Sequence, residues 1–197
     1  MNEIFSVEEK PQYYQRDISA NGLKGYRWKN QFWLLVKQYL FKPSPHIASR
    51  WRVFLLKCFG AKIGKGCYIG SSVDITRPWL LVIGDRVAID DGCWLSTPIT
   101  IKNNASIAKC CMIMSGGHDV RARGFNHQAK PIIIGPSSFI GAGCYINAGV
   151  TIGQFACIGA RSFVFKSVPE NTIAFGNPCQ VHSERISTEE YSKYKFD

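Results

Sequence analysis

The 197-residue chain is short of acidic side chains, of histidine and of long apolar runs, and each shortage excludes something. Its apolar patches, such as F-W-L-L-V at 32–36 and V-F-L-L at 53–56, fall well below the ~18 residues of a membrane span. The opening M-N-E-I-F-S-V-E-E-K has no basic stretch leading into an apolar one, so no secretory leader is expected. Fourteen Asp and Glu stand against twenty-four Lys and Arg, a formal charge of +10. Residues 1–60 hold ten of the basic and four of the acidic groups. That imbalance favours an anionic partner: a phosphate-bearing ligand, a membrane surface or nucleic acid. Nucleic acid is the weakest of the three, because no recognisable binding motif is present.

Cysteine is not scarce. Eight are present, but their placement argues against a disulfide framework. Cys67, Cys93, Cys111 and Cys144 share one position of a six-residue repeat that elsewhere carries Val, Ala, Ser or Ile, so they read as small buried hydrophobes. Cys110 and Cys111 are adjacent, which suits neither a loop staple nor zinc-ligand spacing. Reduced thiols and a cytoplasmic protein are expected.

Residues 1–26 are polar and aperiodic. Within 28–41, apolar groups at Trp28, Phe32, Leu35, Val36 and Tyr39 have helical spacing, and P43-S-P45 ends that pattern. A second helical pattern runs from Ile47 to Phe59, with Ile47, Trp51, Phe54, Leu55 and Cys58 on one face and Arg50, Arg52 and Lys57 mostly off it. Either the two helices pack on the main domain, or they form a basic, aromatic contact with a membrane surface.

From residue 63 a repeat takes over. Ile63, Ile69 and Ile75 are followed, after a two-residue insertion, by Ile83, Ile89, Leu95, Ile101, Ile107 and Ile113. After a longer interruption come Ile134, Ile140, Ile146, Ile152, Ile158 and Val164. Helices repeat near 3.6 residues and flat strands at 2. A period of six fits a short strand and a turn, stacked into a parallel β-solenoid with one aliphatic column inside. The resulting division is an N-terminal extension with helices over 1–60, a solenoid over 61–168 with a loop at 119–131, and a C-terminal cap and tail over 169–197.

Runs such as I134-G-P-S-S-F-I-G-A-G-C-Y-I-N-A-G-V-T-I-G-Q-F-A-C-I-G-A-R-S-F163 resemble the hexapeptide-repeat acyltransferases. That resemblance implies an all-β fold, a left-handed parallel β-helix with three hexapeptides per coil. G116-G-H-D119, the K130-P-I-I-I-G135 re-entry and V164-F-K-S-V-P-E-N-T-I-A-F-G-N-P178 are similar to the exopolysaccharide (colanic-acid-type) acetyltransferases, near the maltose, galactoside and nodulation O-acetyltransferases.

The stretch I113-M-S-G-G-H-D-V120 breaks the rhythm where the loop begins. Acetyl transfer to a hydroxyl needs a base, a thioester held close, and donors for the developing oxyanion. A histidine suits the base, with an ordinary pKa of ~6.5. The resemblance assigns that role to His118, by direct transfer without an acyl-enzyme, and implies acetyl-CoA as co-substrate, Ala142 and Ala160 at coenzyme contacts, and Lys166 near its phosphates. Substrate contacts are expected among Asp90, Asp91, Arg121, Arg123 and His127; solvated side chains are the alternative for the loop residues. Asp119 either orients His118 or shapes the turn. The chain departs from the family pattern at Phe139, Phe165 and Gln180, where tryptophan, threonine and arginine are common, and at A88-I-D-D91, which offers no counterpart to the sugar-binding asparagine of the galactoside enzymes.

The implied assembly is a homotrimer with sites between subunits. The expected acceptor is a saccharide hydroxyl, on a lipid- or nucleotide-linked sugar, with peripheral contact at the inner membrane surface. Two rivals keep the fold: a non-catalytic scaffold, and an acetyltransferase for serine or another acceptor. A third, a solenoid carbonic anhydrase, needs a metal held by three histidines, and only His118 and His127 fall near the repeat. No metal is expected.

Overall fold

A six-residue period suits neither a helix nor a flat strand. The computed structural model, which describes residues 27–118 and 127–193, resolves it into a coil of short strands around three flat faces. Face A stacks β1 (Lys62–Ile63), β4 (Leu81–Ile83), β7 (Ile99–Ile101), β12 (Ile132–Ile134) and β15 (Thr151–Ile152). Face B stacks β2 (Tyr68–Ile69), β5 (Ala88–Ile89), β8 (Ser106–Ile107), β13 (Phe139–Ile140), β16 (Cys157–Ile158) and β18 (Thr172–Phe175). Face C stacks β3 (Asp74–Ile75), β6 (Trp94–Ser96), β9 (Met112–Met114), β14 (Tyr145–Ile146) and β17 (Phe163–Val164). All these pairings are parallel and join successive coils in register, Ile63 to Ile83 to Ile101 to Ile134 to Ile152 on face A. The result is a left-handed parallel β-helix of about six turns.

Each strand turns its repeat aliphatic residue inward and the preceding side chain outward, as the two-residue pleat requires. None of the fifteen is more than 8% exposed. Burying each such side chain stabilises by ~1.5–3 kcal/mol, so the column is the main cohesive element. The corners carry smaller buried residues, among them Cys93, Cys111 and Cys144. Their thiols point at backbone carbonyls of Ala108, Gly141 and Gly159, each at 3.1 Å. All eight cysteines are free thiols, although Cys67 is only half-buried. Glycine is required where coils approach most closely: a Cβ on Gly141 would lie 2.6 Å from the Ala160 nitrogen.

The first coil has no coil beneath it, and its strand edges need partners. α1 (Arg27–Val36), a π-helical turn (Lys37–Phe41) and α2 (Ser49–Cys58) supply them. Trp33 Nε1 donates to Ile75 O at 2.8 Å, Arg52 Nε donates to Ile69 O at 2.7 Å, and Ser49 Oγ accepts from Ile69 N at 2.9 Å. Trp33, Phe41, Leu56 and Phe59 fill the end of the core. Lys37 and Lys42 clamp the Asp74 carboxylate at 2.7 and 2.9 Å. At the other end, β19 (Gln180–Glu184) pairs antiparallel with β18. Arg185 then donates to Ser137 O and Phe155 O, and a short helix α3 (Thr188–Ser192) follows.

The helices pack on the solenoid, but of the stripes that periodicity marks only Val36 and Leu55 are buried there. Ile47, Trp51, Phe54 and Cys58 face outward, as do Trp28, Phe32, Leu35 and Tyr39. The inward face of α2 is Ser49, Arg52, Leu55 and Leu56. A coil end presents unpaired carbonyls as well as apolar surface, so it selects side chains that both fill space and donate, and Arg52 does both at 0% exposure.

Candidate functional site

Ile113 on face C and Ile134 on face A are successive rungs of the coil, so the whole interruption is inserted at one C-to-A corner. It begins earlier than residue 119. β10 (Gly116–His118) and β11 (His127–Ala129) form an antiparallel ribbon, pairing Gly116 with Ala129, Gly117 with Gln128 and His118 with His127. The two histidines are therefore opposite one another in the backbone, with Cα atoms ~4.5–5.5 Å apart as in any such pair. Asp119, Arg121 and Arg123 lie outside the described residues.

The base of this arm is fixed by a column of hydroxyl and backbone bonds running down the same corner. Ser115 is fully buried; its N–H donates to Ser96 O at 3.0 Å, its Oγ donates to the same carbonyl, and its O accepts from Lys130 N at 2.9 Å. One coil below, Thr97 Oγ1 donates to Arg77 O at 3.0 Å, and Thr97 N donates to Thr76 Oγ1 at 3.1 Å. Sequence reasoning overlooked this column. Its signal was a hydroxyl residue one or two places after the repeat aliphatic residue in three successive coils: Thr76 after Ile75, Ser96 and Thr97 after Leu95, and Ser115 after Ile113. One consequence is chemical. Of the N–H groups around Ser115–Gly117 that could steady an oxyanion, that of Ser115 is already engaged. A Cβ built on Gly117 meets nothing within 4 Å, so the arm leaves an open space there.

Face C lies between two rims. On its B-to-C rim, Ala142 and Ala160 stack on adjacent coils, both exposed, and Arg161 N donates to Ala142 O at 2.8 Å. On its C-to-A rim stand the His118 arm and, farther along, the exposed Lys166. Between the rims the outward positions Trp94, Met112, Tyr145 and Phe163 form one ladder. Tyr145 and Phe163 stack at 4.6 Å and 2°. At Ala142 and Ala160 the side chains on the B-to-C rim are no larger than methyl groups.

Asp90 and Asp91 sit on the B-to-C rim too, but two coils lower, on the coil of Trp94. Asp91 is committed to the coil beneath. Its Oδ1 accepts from Ser72 N at 3.1 Å, Ser72 Oγ at 3.1 Å and Ser71 Oγ at 3.2 Å, and its Oδ2 lies 3.4 Å from His46 Nε2. The Ser72 backbone bond leads the effects that hold its carboxyl below the usual carboxylate range. Tyr68, 2.6 Å from His46 Nε2, is pushed up by burial first and then by Asp91 and Asp90. This arrangement fastens coils and cap together and does not reach the arm's corner. Among the described residues, no three of His, Cys, Asp and Glu gather in a group able to hold a metal ion.

Comparison with known proteins adds the following. The family described as bacterial transferase hexapeptide (six repeats) matches residues 131–166. The chain is 42% identical over 181 residues to the "Putative colanic acid biosynthesis acetyltransferase WcaF" of Escherichia coli (strain K12), with 88% of this chain and 100% of that protein covered. It is 28% identical over 180 residues to the galactoside O-acetyltransferase of Lactococcus lactis subsp. lactis (strain IL1403), covering 85% of this chain and 83% of that one. Among solved structures, a galactoside acetyltransferase in complex with coenzyme A matches with a TM-score of 0.74 at 28% identity, over 86% of this chain and 85% of that chain.

Proposed function

Because the chain belongs to the hexapeptide-repeat transferases and is an acetyltransferase with acetyl-CoA as donor, we propose that its acceptor is a saccharide hydroxyl and that His118 is the base that activates it. The observation that carries this reading is the corner that holds the longer interruption of the coil, between Ile113 and Ile134. There the chain departs through Gly116–His118 from a base tied to two lower coils, beside the open face C. A base needs to be held on a rigid element next to where donor and acceptor meet, and an arm tied to lower coils beside face C supports that reading.

In the proposed reaction the His118 imidazole takes the acceptor's hydroxyl proton as that oxygen bonds to the thioester carbonyl carbon. The carbon–sulfur bond then breaks, and the imidazolium returns its proton to the departing thiolate. The backbone N–H of Gly116, which the alternation of the ribbon turns away from β11, is the candidate to stabilise the oxyanion. Ala142 and Ala160 admit the pantetheine along their rim, and Lys166 is placed for its phosphates. The relatives named for colanic acid and galactoside acetylation support a sugar acceptor. The assembly that fits this reading is a homotrimer, with face C of one subunit closed by its neighbour.

Calorimetric titration with acetyl-CoA and with CoA tests the donor without knowledge of the acceptor. Sugars are then screened by thiol release. His118→Ala is expected to lose roughly 10²–10⁴ in turnover while still binding the coenzyme. Turnover near that of the wild type refutes the assignment of the base.

A further inference from the structure

The outward faces of α1 and α2 leave a set of large apolar side chains exposed, with Phe32 alone resting one side of its ring on Phe59 at 5.6 Å. Trp28, Phe32 and Leu35 follow one another at i, i+4 and i+7 along α1, and Ile47, Trp51 and Phe54 do the same along the second helical segment. Ile47 is 92% exposed, Trp28 72% and Tyr39 71%. Trp51 Nε1 donates to Leu40 O at 3.1 Å, which ties α2 to the π-helical turn after α1, and within α2 the Trp51 ring stacks on Phe54 at 5.6 Å. The opposite side of the same helices is the one that closes the first coil, through Trp33, Phe41, Leu56 and Phe59. The apolar surface therefore points away from the solenoid, at its N-terminal end.

The charge around this surface narrows its occupant. Residues 27–60 contain seven Lys and Arg and no Asp or Glu. Lys37 and Lys42 are tied to Asp74, and Arg52 is buried in the cap. Arg50 and Lys57 are exposed on α2 beside Ile47, Trp51 and Phe54. Pairing the same face of a second copy would bring cation against cation. An anionic lipid surface instead accepts the cations at its headgroups, the indoles and the phenol at the interface, and the aliphatic tips below.

We infer that the paired helices of the cap are a monotopic membrane anchor, binding a bilayer that contains anionic phospholipid through Trp28, Phe32, Tyr39, Ile47, Trp51 and Phe54, with Arg50 and Lys57 at the headgroups. The surface is fixed to the first coil, so it sets the solenoid end-on to the bilayer. Resting on the acetyltransferase reading, this positions the enzyme for acceptor sugars carried on lipid.

The test is co-sedimentation of the full chain with vesicles of phosphatidylcholine plus phosphatidylglycerol, and with phosphatidylcholine alone. The inference expects retention on the anionic vesicles at low salt and little on the neutral ones. Ile47→Glu, at a site too exposed to disturb packing, should release the protein. Arg50→Glu with Lys57→Glu should weaken retention by roughly fivefold for each cation removed. Retention equal on both vesicle types, or unaltered by Ile47→Glu, overturns the anchor. So does a lipid-free, concentration-dependent association that Ile47→Glu abolishes, which would assign the face to another copy of the chain. Acetyl-CoA binding is measured on the same samples. For the unaltered chain, no retention on the anionic vesicles with intact coenzyme binding refutes the anchor alone, and retention without coenzyme binding refutes the acetyltransferase reading alone.

Discussion

Replacing Arg52 by methionine would test whether the cap is held by polar satisfaction as much as by apolar packing. The guanidinium is fully buried, and burial lowers its pKa from the ordinary value. Its four donated bonds go to Ile69 O, Ser44 Oγ, Pro45 O and His46 O, at 2.7 to 2.9 Å. Hydrogen bonds from a charged donor are worth ~1.5–3 kcal/mol each, and an orphaned buried carbonyl costs about 1–3 kcal/mol. Pro45 and His46 are exposed, so their carbonyls can recover water, whereas Ile69 O beneath the first coil cannot. Methionine also removes the cost of burying a cation and fills part of the same volume. The balance is a loss of about 2–4 kcal/mol. Arg52→Lys keeps the charge but loses the fork and should fall close to the methionine variant. Urea unfolding followed by tryptophan fluorescence measures this, with Trp33 reporting on the same cap. A methionine variant within about 0.5 kcal/mol of wild type would refute the argument that the solenoid's end is closed by this hydrogen-bond cage.

Partial burial pushes the Asp74 carboxyl up, but the bonds and charges of Lys37 and Lys42 outweigh it, so its pKa lies below the ordinary value. The clamp therefore stabilises the fold fully above the ordinary carboxylate pKa of ~3.9, and its contribution is lost as the pH falls through the lowered value. Unfolding midpoints across the acid range should show Asp74→Asn less stable than wild type near neutrality, with the gap closing below about pH 4. Thiol titration of the native protein should modify the exposed Cys58 and Cys110 first, while Cys93, Cys111 and Cys144 react only on unfolding; early modification of those three would contradict the thiol column inside the coil.

The interior of the solenoid was legible because one rule, an aliphatic side chain every six residues, has one physical cause and recurs on every rung. The cap was legible as helices, with the direction of its apolar stripe left open between the solenoid and a membrane surface. Period analysis separates Trp51 and Phe54 from Arg52 but does not say which side faces inward; the terminal coil needed donors for Ile69 O and Ile75 O and took Arg52 and Trp33. At the candidate site, the break at His118 was visible as lost rhythm. That the insertion starts as a ribbon at Gly116 was not, since G-G-H carries no strand propensity and the pairing is set by chain returning at His127–Ala129. Asp91 shows the same limit from the other side. An acidic pair in a loop suggests ligand contact, and only the stacked coils show that Ser71 and Ser72 of the rung beneath already hold it.

The arm at the C-to-A corner leaves and rejoins the coil on neighbouring rungs, and face A keeps its register across the gap, Ile101 to Ile134. Its two ends are pinned by the scaffold whatever the length or composition of what lies between them. Loop-closure entropy grows only slowly with length, so residues can be exchanged or added at this point with little effect on the stack. The solenoid thus behaves as a fixed frame with one replaceable part. Grafting the corresponding arm from a relative that acts on a different acceptor should transfer acceptor preference while leaving the melting temperature close to that of the parent.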